Sequence, residues 1–201
     1  MNPQGNLFVI TGPSGSGKDE VISILRGIGI QFRMATTAVT REPRPGERHG
    51  VNHYFLTRAE FERWESEGKL LESAEVYGRR YGTPRHEVDG PISSGEDVVL
   101  RIDVQGARSV KEKLPEAVLI FIAPPSVEEM RRRLESRATE DKTELDDRLD
   151  SLTWEMAFSE ECDYVVVNET GRQTQAAREL GEIIGRVRRS RRENGTSSVE
   201  G

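Results

Sequence analysis

The run Gly12-Pro-Ser-Gly-Ser-Gly-Lys18 constrains this chain more than any other feature. An apolar stretch, Leu7-Phe-Val-Ile10, leads into it, and a helical pattern, Val21-Ile-Ser-Ile-Leu25, follows. The order is strand, glycine loop, helix. Glycines let the backbone curl so that several N–H groups face one hollow. The helix N-terminus adds partial positive charge, and Lys18 adds a full one. Gly12, Pro13, Ser14, Gly15, Ser16, Gly17 and Lys18 therefore read as a seat for the β- and γ-phosphates of a nucleotide. The residue after this lysine ordinarily carries a hydroxyl that binds Mg²⁺, and here it is Asp19. A carboxylate can ligate Mg²⁺, which makes Asp19 a candidate metal ligand. The alternative is that an acid suits the first turn of a helix. At an effective dielectric of about 20, like charges roughly 5 Å apart repel by about 3 kcal/mol, so Asp19 beside phosphate calls for a cation.

Four short apolar runs, at residues 7–10, 98–102, 117–123 and 164–167, are apolar on both faces, as strands of a doubly covered parallel sheet are. Helical patterns at 20–28, 106–113, 127–137, 145–159 and 174–188 alternate with them. Strand–helix alternation implies an α/β fold with right-handed crossovers, and ligands at the carboxyl ends of the strands. Residues 34–96 break the rhythm with a turn-rich piece, Glu42-Pro-Arg-Pro-Gly46, then His53-Tyr-Phe-Leu56 and a helix from Arg58 to Glu67. They read as a small inserted lobe within a core made of 1–33 and 97–190. A polar stretch at about 136–146 reads as a lid, and 191–201 as a disordered tail.

The chain has 201 residues and a net charge of −6, so it lacks the generally basic surface that nucleic acid requires. Positive charge is local, in Arg41, Arg44 and Arg48 and again in residues 131–133 and 137, which suits small anionic ligands. Cys162, the single cysteine, excludes an intramolecular disulfide and a cysteine metal site. No run approaches the length of a membrane-spanning helix, and no signal-peptide pattern is present. A reducing cytoplasm is the expected home.

Several further motifs stand in order: Thr40-Arg-Glu-Pro-Arg-Pro-Gly-Glu47, Leu70-Leu-Glu-Ser-Ala-Glu-Val-Tyr-Gly78, Tyr81-Gly-Thr83, Ile102-Asp-Val-Gln-Gly-Ala107, Phe121-Ile-Ala-Pro-Pro-Ser126 and Asp163-Tyr-Val-Val-Val-Asn168. With the glycine loop they resemble the guanylate kinase family from end to end except the tail. The resemblance implies a P-loop NTPase three-layer sandwich around a central parallel sheet, with an inserted GMP-binding lobe and a lid. It implies transfer of the γ-phosphoryl of ATP to GMP, with Mg²⁺ accompanying ATP. The expected partners are ATP and GMP, not nucleic acid or membrane, and the chain acts as a monomer or homodimer. It assigns Arg41, Arg44 and Tyr81 to the GMP phosphate, with His53 or its neighbour Tyr54 at a further phosphate position. Glu72 and Asp103 fall to the guanine, Thr37 and Thr83 to hydroxyl contacts with it, and Arg133, Arg137 and Arg148 to the triphosphate beside Lys18. The chemistry agrees. An ionised carboxylate only accepts, and guanine offers a donor pair on one edge that adenine lacks.

Two departures from the family pattern carry opposite charges. Asp19 replaces a hydroxyl, and Arg101 replaces an acid two residues before Asp103. The reciprocal swap predicts an ion pair between them, with Mg²⁺ left to phosphate oxygens and water; independent drift at the two positions is the alternative. A catalytically weakened nucleotide binder is therefore a competing reading. Ribose 1,5-bisphosphate phosphokinase is another, because it shares Gly-Lys-Asp at the loop. A phosphopeptide-binding guanylate-kinase-like module is a third, although such modules lose the glycine loop.

Overall fold

The computed structural model describes residues 4–76, 78–136 and 151–197. The core sheet runs β2-β7-β1-β8-β9, built from β1 (Leu7–Thr11), β2 (Arg33–Met34), β7 (Val98–Arg101), β8 (Val118–Ala123) and β9 (Tyr164–Val167). Every pairing in it is parallel. Side chains alternate across a strand, and both faces of β1 are apolar. Phe8 and Ile10 pack with Val21 and Leu25 of α1 (Lys18–Gly27) and with Leu180 and Ile184 of α7 (Gln173–Ser197). Leu7 and Val9 pack on the other side with Val104, Ala107 and Val110 of α4 (Val104–Lys113) and with Phe158. The helices α5 (Val127–Ser136) and α6 (residues 151–157) precede β9. The three-layer α/β arrangement is thus the one expected.

A second sheet, β4-β3-β6-β5, forms the inserted lobe. Its strands are β3 (Ala38–Val39), β4 (Tyr54–Phe55), β5 (Leu70–Val76) and β6 (Arg79–Pro84). It packs on Phe61 of α2 (Arg58–Ser66). Thr57 and Glu60 close a capping box at the start of α2, a motif that contributes about 1 kcal/mol. The lobe sheet spans 38–84, narrower than the expected 34–96. Met34 pairs with Val99 in the core sheet, and Val88, which precedes α3 (Asp89–Ser93), and Ile92 within that helix pack into the core.

Two further expectations are corrected. β9 is an edge strand, and Val165 and Val167 are 43% and 47% exposed, so only one of its faces is apolar cover. The tail expected from 191 is helical as far as Ser197. The Arg191 guanidinium donates to the Glu116 carbonyl 2.6 Å away, a tertiary contact that holds the start of this segment in the helix. Residues 137–146 of the expected lid lie outside the described residues.

Candidate functional site

The glycine loop joins β1 to α1 at the carboxyl edge of the core sheet. Gly12, Gly15 and Gly17 have φ of 135°, 85° and 87°, conformations that side chains with a Cβ rarely adopt. At Gly12 space is also short, because a Cβ would lie 2.4 Å from the Ile122 carbonyl oxygen. Gly17 caps α1 without a side-chain hydrogen bond, so the first N–H groups of the helix remain for an anion. The Lys18 ammonium donates to the Gly12 and Pro13 carbonyls at 2.7 and 3.0 Å. Burial lowers its pKa to about 8, against the opposing charge of Glu155. Asn168, just past β9, braces the loop by donating from Nδ2 to the Ser16 carbonyl at 2.8 Å.

Glu155, on α6, had no motif to announce it. It is 8% exposed and accepts the backbone N–H of Ser14, and burial raises its pKa. A lone glutamate in an amphipathic helix carries no sequence signal, and only the packing of α6 brings it to the loop.

The loop opens into a cleft of about 260 Å³ that the lobe closes on the other side. Lys18, Asp19 and Glu155 line it from the core; Thr37, His53, Glu72 and Tyr81 line it from the lobe; Arg101 and Asp103 lie between. A larger groove of about 910 Å³, lined by Gln4, Gln31 and Arg188 among others, lies at the amino ends of the strands, away from the phosphate loop.

Glu72 sits on β5 opposite Thr83 of β6 and is 2% exposed. Burial pushes its carboxyl up to about 7, although the Thr83 hydroxyl donates to Oε1 at 2.6 Å. Thr83 is thus the residue that orients Glu72. On the far side Gly106 leaves room, since a Cβ there would stand 2.7 Å from Glu72 Oε2. Asp103 lines the same cleft while its Oδ1 caps α4, accepting from Gln105 and Gly106 at 2.8 and 3.1 Å.

Arg41 meets Glu47 with both terminal nitrogens, at 2.6 and 2.7 Å. Its guanidinium also lies 5.4 Å from the centre of the Phe55 ring. Glu47, held well below the usual carboxylate range at about 2 by Arg41, further accepts the Arg44 N–H at 2.7 Å. Glu47 and Phe55 therefore fix the fork, a support the sequence reading did not assign. The Arg44 side chain is exposed.

Thr37 Oγ1 lies 2.9 Å from His53 Nδ1, and burial with the nearby Arg101 and Arg41 charges lowers the His53 pKa. Tyr54 is a correction. Adjacent residues of a strand face opposite sides, so His53 and Tyr54 cannot both reach the cleft. Tyr54 packs in the lobe core near Trp64, and its hydroxyl donates to Glu87 at 2.7 Å. Arg137 and Arg148 lie outside the described residues, and so does the side chain of Arg133.

Asp19 as a metal ligand is also corrected. Its carboxylate is ion-paired with the Arg101 guanidinium, as the charge swap predicted. The described residues hold no cluster of three metal-binding side chains. A carboxylate already bearing a cation, where a hydroxyl ordinarily binds Mg²⁺, does not fit a protein-held divalent ion.

A parallel sheet carrying a phosphate loop at its carboxyl edge, with an inserted lobe that turns a buried acid toward that loop, defines a P-loop phosphotransferase with a separate acceptor site. A sequence profile of guanylate kinase matches residues 4–185. The guanylate kinase of Rubrobacter xylanophilus is 46% identical over 184 residues, covering 92% of this chain and 95% of that one. The guanylate kinase of a Synechococcus species is 41% identical over 181 residues, 90% of this chain and 82% of that one. The crystal structure of guanylate kinase from Anaplasma phagocytophilum superposes with a TM-score of 0.72 at 32% identity, covering 91% of this chain and 86% of that chain. The chain belongs to the guanylate kinase family. Among the described residues no helix is long and apolar enough to cross a membrane.

Proposed function

We infer that the chain transfers the γ-phosphoryl group of ATP to GMP, giving ADP and GDP. The observation that carries this is one cleft lined by Lys18 of the phosphate loop and, across it, by the buried Glu72. The loop N–H groups and Lys18 hold the donor phosphates. Arg41 and Arg44, with Tyr81 and His53, receive the phosphate of GMP, and Thr37 and Asp103 stand with Glu72 at the guanine. Glu72, turned by Thr83, accepts from the guanine N1–H and exocyclic amine. A carboxylate offers no donor to adenine's acceptor on that edge, which makes the site guanine-selective. Arg133, Arg137 and Arg148 belong to the triphosphate side. The attacking oxygen of GMP is already anionic, so the reaction needs positioning and charge neutralisation rather than a general base. Mg²⁺, brought with ATP, would supply further charge neutralisation on the triphosphate, while Lys18 and the loop N–H groups bind and orient the donor phosphates.

A coupled assay of ADP release, offering GMP, AMP, UMP and ribose 1,5-bisphosphate as acceptors, tests the reading. A response to GMP alone is expected. A response to ribose 1,5-bisphosphate alone refutes it, and nucleotide binding without any turnover identifies a weakened nucleotide binder.

A further inference from the structure

We propose that Arg101 is a phosphate-binding residue at the junction of the donor and acceptor sites, held in position by Asp19, and that it supplies positive charge where a P-loop ordinarily recruits a protein-held metal ion. The proposal rests on the phosphotransferase reading above. Arg101 ends β7, in register with Ile10 of β1, the strand that runs into the glycine loop. It therefore stands one strand away from the loop, at the carboxyl edge where ligands bind in such sheets. Its guanidinium lines the cleft with Lys18 on one side and Thr37 and His53 on the other. Its charge is felt at both ends, lowering the pKa of Lys18 and of His53.

The pair with Asp19 is asymmetric. The Arg101 side chain is 30% exposed and that of Asp19 is 78% exposed. A surface ion pair of this kind contributes little to stability, so folding gives no strong reason for it. Its effect is directional. Among the described residues the contact uses only Nη1 of Arg101 and Oδ1 of Asp19. The planar fork retains Nη2 and Nε as donors, in the geometry that matches two oxygens of one phosphate. Asp19, next to Lys18, also raises that lysine's pKa. The acid thus orients one cation while partly offsetting the effect of burial and of Arg101 on the other, and the two cations flank the path between the nucleotides. During transfer the bond from the γ-phosphorus to the β–γ bridging oxygen breaks, leaving ADP, and a bond to a phosphate oxygen of GMP forms. Arg101 donates to the non-bridging oxygens that carry charge throughout.

The test compares the wild type with Arg101→Gln, Arg101→Lys and the double variant Asp19→Ser/Arg101→Asp. It reads GMP-dependent ADP release, and separately ATP and GMP affinity by calorimetry in EDTA. Melting of each protein without nucleotide controls for folding. Arg101→Gln is expected to lose about 10²-fold or more in kcat and to bind at least one nucleotide about tenfold more weakly in EDTA, with its melting temperature little changed. Arg101→Lys restores charge without the fork and falls between. The double variant shifts toward metal dependence: its rate climbs with free Mg²⁺ after ATP is saturated, where the wild-type rate is flat. An Arg101→Gln protein with wild-type kcat and wild-type affinity for both nucleotides in EDTA overturns the proposal. A wild type that does not phosphorylate GMP refutes the function proposed above instead, and the EDTA affinities still decide the role of Arg101.

Discussion

Replacing Glu72 by Gln should stabilise the folded chain while damaging its recognition of GMP. Glu72 is sealed between Thr83 and the space over Gly106, and its carboxyl is raised from the usual 4.5 to about 7. Between those values the folded chain keeps a proton that the unfolded chain has released. Stability contributed by this group is therefore intact below about pH 4.5 and falls as pH rises through 7, by about 3 kcal/mol in full at pH 8. Glutamine cannot ionise, and its carbonyl can still accept from Thr83. Urea denaturation at pH 8 should show Glu72→Gln more stable than the wild type by up to about 3 kcal/mol, the gap closing to under about 1 kcal/mol at pH 5. In the same variant a side-chain N–H₂ faces the guanine donors, and an unmet donor costs about 1–3 kcal/mol, or roughly 5- to 150-fold in GMP affinity. ATP affinity should hold. Wild-type GMP binding should also weaken about tenfold between pH 7.5 and 6 as Glu72 takes up its proton. The phosphate of GMP titrates near pH 6 as well, and the variant isolates that part because it lacks the carboxyl. Equal stabilities of the two proteins at pH 8, or equal losses for GMP and ATP, would refute the reasoning.

Three further outcomes follow from the same geometry. Lys18→Met should lower turnover at least about 10²-fold and abolish the rise in melting temperature that ATP gives the wild type; a retained ATP-induced shift would contradict its role. Glu155→Gln removes the charge that supports protonated Lys18, so ATP affinity, measured by calorimetry against pH, should begin to fall at a lower pH than the wild-type limb near about 8. An unmoved limb would show that the two groups are not coupled. Gly106→Ala would put a Cβ 2.7 Å from Glu72 Oε2 and should raise the KM for GMP several-fold with the KM for ATP unchanged, because a displaced acid no longer meets the guanine edge.

The parts of this protein legible in its sequence are those governed by local rules. The loop from Gly12 to Lys18 needs glycines because its backbone takes positive φ, a requirement written into the residues themselves. The buried strands announce themselves by unbroken apolar runs, and the pairing of Asp19 with Arg101 could be anticipated because an acid and a base stand where the pattern the chain resembles has a hydroxyl and an acid. What could not be read depends on which way a side chain turns and on what lies far away in the chain. β2 is two residues long and held by Val98 and Val99, so it leaves no pattern of its own. His53 rather than Tyr54 faces the cleft because of strand parity, which neither residue reveals alone. Glu155 reaches Ser14 only through the packing of α6, and Glu72 acquires a pKa near 7 only because the lobe buries it. Local sequence therefore determined the phosphate seat and the α/β framework, since backbone conformation and apolar burial are short-range demands. Tertiary structure decided which acids are desolvated and which residues face one another across the cleft, because electrostatics and burial depend on distances that only the folded chain sets.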